Sequence, residues 1–106
     1  MRLMTITGRL TAVPEYNVYD AKNGDDRVVQ RLTFSVANND NGKDADPEYY
    51  DVVCWGKLAE WGNQYLKKGT RVLLSGTPHN EIYESKTDNK RRTHFKLTCE
   101  RVEMIG

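Results

Sequence analysis

Tyr49 and Trp55 stand six residues apart in the stretch Glu48 to Trp55, an even spacing that puts both on one face of a β-strand. Flat aromatic faces of this kind stack on unpaired bases regardless of sequence, at about 1–3 kcal/mol per base. Bases in a duplex already stack on one another, so such faces select single strands. Tyr83 adds a third aromatic in a segment rich in cations. The groups that would neutralise neighbouring phosphates are Lys57, Lys68, Arg71, Lys86, Lys90, Arg91 and Arg92, with Arg9 and Arg31 on outward strand faces. The same aromatics also suit the core of a barrel, and for Tyr49 both readings stand.

Catalysis has little to work with. The sequence holds no GxSxG, P-loop or HExxH pattern, and no Cys/His pair at nucleophile spacing. Asp25-Asp26, or Asp44 with Asp46, could hold a divalent ion for phosphodiester hydrolysis. Both pairs fall in polar loops and read as solvated charge. Cys54 and Cys99 form neither a CxxC pair nor a disulfide framework, and they lie in apolar, strand-like segments as small hydrophobes of a reduced core. His79 and His94 sit at no finger-like spacing from them. No catalytic residue, metal or cofactor is expected.

The 106 residues (12.2 kDa) suffice for one domain, residues 1–106, and not for two lobes around a cleft. With 38% apolar and 29% charged residues the composition is globular. The longest apolar run is Val52-Val53-Cys54-Trp55, far short of a membrane span. The first eight residues alternate and lack the apolar block of a secretion signal, which points to the cytoplasm and to no membrane partner. Net charge is only +1, yet residues 1–56 carry −3 and residues 57–106 carry +4. Basic clusters beside aromatic strands tip that asymmetry toward a polyanion.

The apolar period is mostly two, that of strands. Arg2 to Val13 sets Met4, Ile6 and Leu10 against Thr5, Thr7, Arg9 and Thr11, until Pro14 ends the run. Tyr19 to Asp26 reads as a long hairpin loop. From Arg27 to Asn38, Val28, Leu32, Phe34 and Val36 point inward. After a loop at Asn38 to Pro47, Glu48 to Trp55 is apolar on both faces, so it is either sandwiched in a core or open to a ligand. Lys57 to Lys68 is the one helix, with Leu58, Trp61, Tyr65 and Leu66 inward and Gly69 free to take a positive φ after it. Arg71 to Thr77 forms the fourth strand with Pro78 near its end, and a hairpin turning at Thr87 to Lys90 returns through Arg92 to Cys99. Five strands with a helix between the third and fourth is the order of an OB-fold, an all-β Greek-key barrel; periodicity alone also admits an SH3-like barrel.

Gly8-Arg9-Leu10, the run from Tyr50 to Glu60 (YDVVCWGKLAE), and Tyr65 to Val72 (YLKKGTRV) with Gly76 resemble the bacterial-type single-stranded DNA-binding protein family, over about residues 2 to 104. The resemblance implies an OB-fold protomer that forms a homo-oligomer, a tetramer or a dimer, and wraps single-stranded DNA. By position it makes Tyr49, Trp55 and Tyr83 base-stacking residues, Lys57 and Lys68 phosphate contacts, and Leu3 to Gly8 a contributor to subunit pairing. Three departures stand out. Asn38-Asn39-Asp40 replaces a frequent stacking aromatic, and Asp51 and Glu81 replace frequent cations. The sequence also ends at Gly106 without the long tail and acidic tip that recruit partners in that family. It reads as a tailless short form, such as a phage or mobile-element protein, or as a chain cut back.

The function expected on these grounds is coating of single-stranded DNA in replication, recombination or repair. A protein-docking module of the same fold with weak DNA binding is the alternative, favoured by the near-neutral charge, Asp51 and Glu81. A metal-dependent nuclease is a third.

Overall fold

The computed structural model describes residues 2–20, 28–40, 42, 46–84 and 91–105, with the backbone alone at 80–84 and 91–94. In chain order the elements are β1 (Met4–Leu10), β2 (Glu15–Asp20), β3 (Val28–Asn38), β4 (Glu48–Trp55), α1 (Lys57–Tyr65), β5 (Arg71–Glu84) and β6 (Arg91–Met104). They make one sheet in the order β1-β5-β6-β4-β3-β2, closed into a barrel where β1 also pairs with β3 at Arg9↔Ala37 and Leu10↔Val36. Every pairing is antiparallel except β4 with β6. This is the OB-fold.

The expected five strands are six because Glu15–Asp20, beyond the Pro14 that ends the first strand, forms a strand of its own. β1 pairs with β5 and, at Arg9 and Leu10, also with β3; after a bend through Thr11–Pro14, β2 pairs with β3 alone. Pro14 cannot donate to a ladder, so the bend falls where sheet partners change. Tyr19 and Asp20 therefore end a strand, correcting their assignment to a loop, and the rest of that loop lies outside the described residues. Likewise β5 runs through Pro78 without a break. Beyond Gly76 it has only β6 as neighbour, and an edge strand tolerates a missing N–H.

Alternation builds the core. Leu10, Leu32, Val36, Val72, Leu74 and Leu97 are buried from four strands, each worth about 1.5–3 kcal/mol. Cys54 and Cys99, both free, are buried among them. Their mutual hydrogen bond, with burial behind it, pushes the Cys54 thiol up, so it stays protonated and inert. Val28 breaks the expected inward set and is exposed. β4 pairs with β3 only from Arg31 onward, so the first turn of β3 projects past the barrel.

Gly56 opens α1 at φ 68°, a left-handed position that favours glycine. The helix then buries Ala59 and Gly62, with Leu58 and Trp61 packed against the core. It ends at Tyr65, three residues short of the expected Lys68. Leu66 turns extended (φ −84°, ψ 136°) to bury its side chain, and its N–H still bonds Gly62 O at 2.8 Å. Lys67 and Lys68 thus lie in the following turn, which Gly69 completes at φ 86°. Tyr65, expected inward, is exposed, its ring 5.5 Å from that of Trp61.

Candidate nucleic-acid interface

Strand alternation and register put specific side chains on the outside of the barrel. On β3 the even residues from Leu32 to Val36 are buried, so Arg31, Thr33, Ser35 and Ala37 face outward. Their partners on β4 are Trp55, Val53, Asp51 and Tyr49. Tyr49 is 59% and Trp55 47% exposed, which settles the open question for Tyr49: neither ring is core.

Two rows of residues cross the strands here. In the first, Arg71 pairs with Arg9, Arg9 with Ala37, and Ala37 with Tyr49, so four strands line two cations up with an aromatic. Arg9 Nη1 donates to Gly69 O at 3.3 Å, tying this row to the turn that carries exposed Lys68. In the second, Asn17 pairs with Arg31 and Arg31 with Trp55. The Arg31 guanidinium stands 5.7 Å from the centre of the Trp55 ring, within cation–π range. One face of the indole is thereby occupied by the cation.

Between the rows lies a groove of about 600 Å³, lined by Thr11 to Val13, Arg31, Thr33, Ser35, Asp51, Val53, Trp55 and Lys96. Thr11 N donates to Ser35 O at 3.0 Å and fixes one wall. Ser35 Oγ donates to Asp51 Oδ1 at 2.6 Å on the floor. The carboxylate noted as a departure from the family pattern is therefore built into the groove. Asn38 is also structural: its Nδ2 donates to Thr7 O at 2.8 Å, and its Oδ1 accepts from Asp40 N at 2.9 Å. It ties the end of β3 to β1. Tyr50, next to Tyr49, serves the opposite face. It donates its hydroxyl to Glu48 Oε2 at 2.7 Å, a bond that with burial raises its pKa to about 12.

Lys57 is exposed at the start of α1, two residues after Trp55. Tyr83↔Arg92 and Glu84↔Arg91 are paired backbone positions at the far end of the β5–β6 ribbon. Lys86 and Lys90 lie outside the described residues. Lys96 was missed by the sequence reading, although it alternates with buried Leu97 and so had to face out. Among the described residues no helix is long and apolar enough to cross a membrane.

A barrel of this topology with aromatics and cations on one outer face defines an oligonucleotide-binding type of domain. The model of the single-strand binding protein family matches residues 1–105, and the chain belongs to that family. The single-stranded DNA-binding protein of Borreliella burgdorferi is 30% identical over 97% of this chain and 68% of its own length. Single-stranded DNA-binding protein 1 of Synechocystis is 26% identical over 95% of this chain and 80% of its own. The small single-stranded DNA-binding protein of Streptomyces coelicolor superposes with a TM-score of 0.70, covering 98% of this chain and 94% of that one. At 16% identity this likeness speaks for the fold.

Proposed function

We propose that this protein, as a single domain over residues 1–106, binds and coats single-stranded DNA with little sequence preference in replication, recombination or repair. It acts as a homo-oligomer, a tetramer or a dimer, and carries out no catalysis. The carrying observation is the pair of half-exposed rings, Tyr49 and Trp55, on one outward strand face with Arg31 against Trp55 and Arg9 and Arg71 in register with Tyr49. Bases stack on the free ring faces, and phosphates pass the guanidinium groups. Lys57, Lys68, Tyr83, Lys86, Lys90, Arg91 and Arg92 complete the contact set. Stacking reads no base edges, which is why sequence preference is small.

Quenching of tryptophan fluorescence by oligo-dT tests this reading. Strong quenching is expected, with affinity falling steeply in salt at a log–log slope of about −0.7 per phosphate contact. Absence of quenching at low salt would overturn it and favour the docking-module alternative, which the acidic groove floor at Asp51 supports. Asp51 also yields a graded prediction. Asp51→Asn keeps an acceptor for Ser35 and removes a negative charge from the phosphate path. Affinity for oligo-dT at low salt is expected to rise about two- to tenfold, a gain that shrinks as salt screens it. Equal affinity in a titration of both proteins would place the strand away from the groove.

A further inference from the structure

We propose that Tyr19, on the β2–β3 ribbon, is a further base-stacking position, so that a strand leaving Trp55 crosses Arg31 and Val29 and ends on this ring. The inference rests on the reading of the Trp55 face as the nucleic-acid interface. Register carries it. Tyr19 pairs with Val29, Val29 lies two residues from Arg31 on the same face of β3, and Arg31 pairs with Trp55. Strand spacing and rise put the Tyr19 and Trp55 backbones about 12 Å apart across that face.

Tyr19 is 46% exposed and Val29 38%, and neither packs on the core. Tyr16, of opposite parity on the same strand, is the tyrosine of β2 that does pack there. An aromatic held on a paired strand, with an apolar shelf beside it and a guanidinium between it and Trp55, has what a base and its phosphate require. It loses little entropy on binding because the ribbon already fixes it. A lone exposed tyrosine would need no explanation. A ring continuing the line of Tyr49, Trp55 and Arg31 on the same face is a different matter.

Titration with a dT oligonucleotide of about sixteen nucleotides, the upper end of the length one such domain covers, tests the assignment. Tyr19→Ala is expected to weaken binding about fivefold or more, while Tyr19→Phe, which keeps the ring, binds as the parent does. Tyr19→Trp is expected to add a fluorophore that the oligonucleotide quenches beyond the parent's own signal. If the parent is quenched while Tyr19→Ala binds equally well, or the added tryptophan stays unquenched, the Tyr19 assignment falls and the Trp55 interface stands. If the parent itself shows no quenching, the interface falls and Tyr19 with it.

Discussion

Trp55→Ala is expected to lower affinity for single-stranded DNA at least tenfold while the protein keeps its cooperative thermal transition. Two losses combine. The base that stacks on the free indole face loses about 1–3 kcal/mol. Arg31, now without the ring 5.7 Å away, loses the contact that holds it and pays more entropy to meet a phosphate. Stability should change little because the ring is 47% exposed and buried Cys54 and Val52 anchor the strand from its other side. Oligo-dT titration with a circular dichroism melt separates the two effects. A collapsed transition would make Trp55 a structural residue, and unchanged affinity would remove the face from the interface.

Gly76→Ala is expected to do the reverse, weakening the fold strongly at a position away from the Trp55 face. Gly76 sits at a bulge: Ser75 pairs with Arg101 and Gly76 with Cys99, leaving Glu100 as the extra residue of β6. A Cβ at this position would stand 2.1 Å from Thr98 O and 2.9 Å from Cys99 Cα. Both obstacles are backbone, so no rotamer change relieves them and the two longest strands must part. The cost should reach at least about 3 kcal/mol, a large share of the roughly 5–15 kcal/mol that stabilises a small domain. Gly62→Ala is the control. Its nearest obstacle, at 2.5 Å, is Leu32 Cδ2, the end of a side chain that can rotate. Urea midpoints should therefore rank parent above Gly62→Ala above Gly76→Ala. Near-parental stability of Gly76→Ala would mean that β5 and β6 do not approach this closely.

Much of this molecule follows from local rules. A period of two assigned Leu10, Leu32, Phe34 and Val36 to the core, and it placed Tyr49 and Trp55 on a common face. The glycine after two lysines foretold the positive φ at Gly69. Local rules erred where tertiary demands compete with them. Val28 obeys the inward parity of β3 yet is exposed, because parity says nothing of how far the barrel extends. The helix stops at Tyr65 because Leu66 gains more by entering the core than by continuing a turn. Pro78 ends no strand because beyond Gly76 β5 is paired on one side only, with β6, where an edge strand tolerates a missing N–H.

Sequence by itself determined the strand alternation, the position of the helix and the pair of rings that alternation forces to one side. These depend on residues a few positions apart, whose geometry the backbone dihedrals set. Only the tertiary structure decided that Arg71, Arg9 and Tyr49 share a row, that Arg31 covers one face of Trp55, and that Ser35 holds Asp51 in the groove. Tyr19 came to the Trp55 face by the same route. Each of these contacts joins strands distant in sequence. Register, which a shift of one residue would invert, is set by how the whole barrel closes and not by any one strand.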